Sequence, residues 1–139
     1  MNRSEWRQLA AEKVLDAKVL LDAGRWAGAY YIAGYAIECA LKACVLARVE
    51  TSGVIFDDPK FAGEVRTHDF GNLVRLADLE RNFGIARGAN PNLLVYWEVV
   101  TRWSEASRYE NKTSRDAAEI FEAITNHPDG VILWVQRHW

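Results

Sequence analysis

The residues that could do chemistry are the few charges placed where charge is costly. Between Ala27 and Ala47 the chain carries only two, Glu38 and Lys42, in an otherwise apolar stretch. Glu four residues before Lys is the favourable orientation for an ion pair on a helix. Tyr31 and Tyr35 continue the same stripe toward the N-terminus. Two chemistries fit: a partly buried ion pair that fixes helix register, or a polar stripe that faces a ligand. Charges on a buried helix must be paired or used, so both readings stand.

A second candidate is His68-Asp69, where Asp69 suits a helix cap and a His beside it suits an anion or a structural hydrogen bond. A third is Arg108-Tyr109, set among Arg102, Lys112 and Arg115. Glu105, Glu110 and Asp116 nearly cancel that charge, so a phosphate patch and a solvated helix end compete there. No phosphate-cradling Gly-x-x-x-x-Gly-Lys or Gly-x-Gly-x-x-Gly occurs, and no Gly-x-Ser-x-Gly elbow. The three His, at 68, 127 and 138, have no zinc spacing. The expectation is a binding module with no catalytic set, no metal and no cofactor.

The elements that must position these residues follow from hydrophobic spacing. Ser4 to about Ala23 is an amphipathic helix, with Trp6, Leu9, Ala10, Val14, Ala17, Leu20 and Leu21 inward, and Gly24 stops it. Trp26 to Val49 is a second helix, apolar nearly all round. Ala29, Ala33, Ala36, Ala40, Ala43 and Ala47 form a stripe of small residues along it, which admits a close neighbour. Thr51 to Arg66, with Gly53, Pro59 and Gly63, is expected to be a loop. Thr67 or Asp69 caps a third helix to about Arg81, and Asn82 to Asn90 is a second loop containing Gly84 and Gly88. Asn90-Pro91 starts a fourth helix to about Ser107. Thr113 or Ser114 caps a fifth, with Ala117, Ala118, Phe121 and Ile124 inward, ending at Pro128-Asp129-Gly130. Val131 to Trp139 suits a short helix better than a strand in so helical a chain. The expected fold is all-α, a four-helix bundle with one or two short additional helices, in a single domain over 1–139.

Composition bounds the function. The 139 residues are 50% hydrophobic and 26% charged with net charge -2, which excludes disorder and a broad nucleic-acid-coating field. Cys39 and Cys44 lie five apart, roughly 140° around a helix, and so should stay free. With a polar N-terminus and no run of about 20 apolar residues, these features imply no membrane span and a reducing cytoplasm.

At these residues the chain resembles a family. The stretch from Ala29 to Ala43, Ala-Tyr-Tyr-Ile-Ala-Gly-Tyr-Ala-Ile-Glu-Cys-Ala-Leu-Lys-Ala, resembles the central helix of HEPN domains, small helical domains of prokaryotes and higher eukaryotes associated with nucleotide binding. His68-Asp69-Phe70 followed by Leu73 resembles the His-Asp-Leu start of that family's next helix, and Arg108-Tyr109 resembles its Arg-Tyr step. The resemblance covers about residues 29 to 109. It implies an up-and-down four-helix bundle paired as a homodimer, a minimal nucleotidyltransferase as partner, a toxin–antitoxin or defence setting, and a nucleotide or RNA ligand. The ligand-binding residues it marks out are Glu38, Lys42, His68, Asp69, Arg108 and Tyr109.

Many members of that family are ribonucleases with an Arg, four to six residues, and then a His. This chain departs from the pattern. The required upstream positions hold Phe61, Ala62 and Gly63 before His68, Ile120, Phe121 and Glu122 before His127, and Val131, Ile132 and Leu133 before His138. Glu110 also stands where relatives often carry Pro after Arg-Tyr. A variant ribonuclease would need His68 and Arg108 to meet, as general base and phosphate cation. A purely structural interaction domain is the remaining alternative.

Overall fold

The computed structural model describes residues 1–139 as nine α-helices and one 3-10 turn, with no strand. Helix α1 (Arg3–Asp22) begins in a capping box: the Asn2 side chain accepts the Glu5 N–H and the Glu5 carboxylate accepts the Asn2 N–H. Its inner face is narrow, with only Ala10 and Ala17 fully buried and Trp6, Leu9, Val14, Leu20 and Leu21 half-buried.

Helix α2 (Trp26–Thr51) is the centre of the molecule. Helix α1 packs along its length, and Ala29, Ala33, Ala36, Ala40 and Ala43 are all buried within the single chain. The alanine stripe from Ala29 to Ala43 therefore packs inside the chain, with Ala47 half-buried at its end, and small side chains there let backbones approach.

The segment expected to be a loop after Thr51 contains two single-turn helices, α3 (Val54–Asp57) and α4 (Phe61–Glu64). Each turn is anchored by one buried apolar residue, Val54 or Phe61, which spacing alone does not reveal. Asp69 caps α5 (Phe70–Leu76), accepting the Asn72 N–H at 2.8 Å. This helix stops short of Arg81 because Asp78 turns into the left-handed region at φ 59.

The second expected loop is helical. Helix α6 (Glu80–Ala89) carries Gly84 and Gly88, each unfavourable in a helix by about 1 kcal/mol relative to Ala. Packing overrides that: Phe83 is fully buried, edge-on to Trp97 at 4.7 Å and stacked on Trp134 at 4.3 Å. Helix α7 (Pro91–Thr101) starts as expected, with the Asn90 side chain accepting the Asn92 and Leu93 N–H groups. It ends at Thr101 rather than near Ser107, because Trp103 turns inward and Glu105–Tyr109 forms a 3-10 turn.

Helix α8 (Ser114–Thr125) has a Thr113–Asp116 capping box. Its inner face is Ala117, Ile120, Ala123 and Ile124; Ala118 is exposed and Phe121 only half-buried, so the expected face is rotated. Helix α9 (Val131–Gln136) is helical as expected and buries Val131, Ile132, Trp134 and Val135. Helices α5, α8 and α9 pack against α2, and α7 packs against α6 and α8. No helix is long and apolar enough to cross a membrane.

Cys39 and Cys44 are free and buried, and burial pushes both thiols up to about 12. At pH 8 a thiol with such a pKa is thiolate in only about one molecule in ten thousand. Native protein at that pH is expected to resist iodoacetamide at both sites, and protein in guanidinium to react at both. Rapid labelling of either thiol in the native state would show that α2 opens locally.

Candidate functional site

Three segments bring the polar site together. Helix α2 supplies Glu38 and Lys42 one turn apart, the segment leading into α5 supplies His68, and the 3-10 turn supplies Glu105. The Glu38 side chain is 2% exposed, and its Oε1 lies 2.9 Å from Lys42 Nζ and 2.8 Å from His68 Nδ1. On the other side of the ring, His68 Nε2 lies 3.2 Å from Glu105 Oε2. A proton on Nδ1 donates to Glu38, and an imidazolium donates at both ends. The Lys42 ammonium also sits 5.2 Å above the Trp6 ring, a second source of stabilisation for its charge. The ion pair and the polar stripe are thus one structure: buried at Glu38 and open at His68.

An aromatic wall holds the turn in place. The Trp103 indole lies parallel to Phe70 at 5.1 Å and over Tyr31 at 5.7 Å, and its Nε1–H donates to the Tyr31 carbonyl at 3.1 Å. Tyr35 extends the stack, with its ring 6.3 Å from Tyr31, and burial raises its phenol to about 12. This close approach requires Gly34, because a Cβ there would stand 2.2 Å from Trp103 Cδ1. Trp103 is followed directly by Ser104 and Glu105, so the indole sets where the Glu105 carboxylate stands.

His68, Thr101, Trp103, Ser104 and Glu105 line an open cleft of about 210 Å³. Its lining carries two carboxylates, Asp69 and Glu105, beside the His68 ring. Counting Glu38 behind it, three carboxylates (Glu38, Asp69 and Glu105) face one ammonium and one imidazole, and the only charged donors are already engaged.

Of the residues singled out in the sequence, Glu38, Lys42 and His68 meet directly. Asp69 lines the cleft, with one carboxylate oxygen committed to capping α5. Arg108 and Tyr109 do not join them: the Arg108 guanidinium lies 4.7 Å over its neighbour's ring, and Tyr109 is 79% exposed. No ion pair or hydrogen bond links Arg108 to His68. Sequence reasoning missed Glu105, Trp103 and Gly34. Gly34 had a visible signal, as a glycine inside a long helix pattern marks a close approach; Glu105 had none, being one acid among balanced charges. No family model matches the chain, and neither the curated proteins nor the solved structures give a match.

Proposed function

We propose that this chain is a HEPN-like, non-catalytic binding module whose cleft at His68 takes one base of a nucleotide or RNA segment. On this reading the up-and-down four-helix frame consists of α1, α2, α7 and α8. The carrying observation is that His68 is held at both ring nitrogens by carboxylates, at 2.8 Å and 3.2 Å, at the mouth of a cleft whose lining carries the Asp69 and Glu105 carboxylates. Such a site is pre-organised, so binding does not have to order it.

The chemistry favours the base over the phosphate. Glu105 accepts hydrogen bonds from an exocyclic amine, the Ser104 hydroxyl serves as donor or acceptor, and the Thr101 hydroxyl, which donates to the Glu98 carbonyl, serves as an acceptor. Unstacked bases are commonly read by hydrogen bonds to their edges in this way. A volume of about 210 Å³ lies below the roughly 300–1,000 Å³ of drug-sized sites, so it suits one ring system. The carboxylates repel a phosphate placed directly on His68. The same fact weighs against a ribonuclease, since no free cation stands where phosphorane charge would develop. A minimal nucleotidyltransferase partner and a toxin–antitoxin or defence setting belong to the same proposal and rest on the resemblance.

The test is a thermal-shift panel of nucleosides, nucleotides and short RNAs, with RNA integrity checked afterwards. Adenosine and cytidine are expected to raise the melting temperature as much as their monophosphates do, uridine less, and RNA to stay intact. Glu105→Ala, which removes the acceptor, should abolish the preference for amine-bearing bases. A shift that requires phosphate, or no shift with any of these ligands, would reject the base-binding reading; RNA cleavage lost in His68→Ala would replace it with a nuclease.

A further inference from the structure

A second concavity runs past Lys42 between α1, α2 and the two single-turn helices. It is an apolar groove of about 330 Å³, lined by Trp6, Leu46, Val49, Ile55, Phe61 and Val65 among others, and it shares no residue with the His68 cleft. Eight of its ten lining residues are hydrophobic; the other two, Lys42 and Arg66, are both cations, and no carboxylate stands among them. The Lys42 charge is matched by Glu38 at 2.9 Å. Arg66 is exposed, and its guanidinium has no ion pair or hydrogen bond within the chain. Glu64, two residues before it, is held by Arg75 at 3.4 Å. The groove therefore offers an apolar wall and one unmatched positive charge.

We propose that this groove binds a free aliphatic monocarboxylate of medium chain length, with its tail on the apolar wall and its carboxylate on Arg66. Charge complementarity selects the head group: a guanidinium presents a fork of donors that matches the two oxygens of a carboxylate. The wall selects the tail, because a sugar or a base laid against it would leave polar groups buried without partners. Size selects a small molecule. A volume of about 330 Å³ stands at the lower end of the roughly 300–1,000 Å³ of small-molecule sites. That space takes one chain and not the face of a helix, whose diameter with side chains is about 10–12 Å. The two concavities thus differ in chemistry: carboxylates line the one at His68, and cations flank this one.

Calorimetric titration of the full chain with butanoate, hexanoate and octanoate reads both halves of the claim. Affinity is expected to rise with length by about two- to fourfold per methylene, fourfold being the value for a methylene fully buried. Octanol, which has the tail without the charge, should bind at least about threefold more weakly than octanoate. Arg66→Glu should weaken octanoate at least about tenfold, leave octanol unchanged and make octylammonium the better ligand. Ala62→Trp, which fills the groove from an exposed position of its lining, should abolish octanoate binding with the helical circular dichroism of the wild type retained. No binding of octanoate at millimolar concentration, an affinity that does not change with chain length, octanol binding as tightly as octanoate, or octanoate binding indifferent to Arg66→Glu or to Ala62→Trp would each overturn the proposal.

Discussion

Lys42→Met is expected to lower the stability of the fold by about 3 kcal/mol, a fall of roughly 10 °C in melting temperature for a domain of this size. The Glu38 side chain is 2% exposed and that of Lys42 16% exposed, and their charges face each other at 2.9 Å. Removing the ammonium leaves a buried carboxylate with only His68 to answer it; breaking a buried pair in this way is destabilising by about 3–5 kcal/mol. The lower end applies because His68 remains and because Lys42 is not wholly excluded from water. Glu38→Gln should be milder, as the amide oxygen still accepts from both partners and the ammonium can lean toward solvent and Trp6. The double variant Glu38→Gln/Lys42→Met should recover much of the loss, because no unpaired charge remains. Urea melts of the four proteins, read as a double-mutant cycle, measure this coupling. Strictly additive losses would mean that the two charges do not act as a pair.

Gly34→Ala is the smallest substitution with a large expected effect. Its Cβ would stand 2.2 Å from Trp103 Cδ1 and 2.3 Å from Nε1, and Trp103 is buried and stacked on Phe70 and Tyr31. Overpacking of this kind is typically destabilising by about 1–3 kcal/mol, which outweighs the roughly 1 kcal/mol that Ala gains over Gly in a helix. The second consequence is functional. A displaced indole loses its bond to the Tyr31 carbonyl and shifts Ser104 and Glu105, so the variant should lose ligand response even where it remains folded. Trp fluorescence and a nucleoside thermal shift on the same sample separate the two effects. A variant as stable as the wild type, with an unchanged Trp emission, would show that the contact is looser than the geometry states.

What was legible in the sequence follows from how local each signal is. The Glu38–Lys42 pair is one helical turn long and holds the only charges between Ala27 and Ala47, so residue type and spacing are enough. The meeting of Glu38 with His68 spans 30 residues and depends on how α5 docks, which no local pattern encodes. Glu105 was hidden for the same reason, and also because the fourth helix was carried too far: Trp103 ends it by packing on Phe70 and Tyr31. Helix α6 was obscured by Gly84 and Gly88, true local weaknesses that Phe83 overrides by burial between Trp97 and Trp134. Arg108 and Tyr109, singled out by a nearly cancelled cluster of charges and by the resemblance, stand apart from the cluster around Glu38.

The most direct test of the central claim is a nitrogen–proton correlation spectrum of uniformly labelled protein titrated with adenosine. The account predicts saturable shifts confined to the amides of His68 to Gly71 and Thr101 to Glu105, together with the Trp103 indole N–H, while Arg108, Tyr109 and α3 stay still. Shifts centred on Arg108 and Tyr109, or a spectrum unchanged at millimolar adenosine, would contradict it.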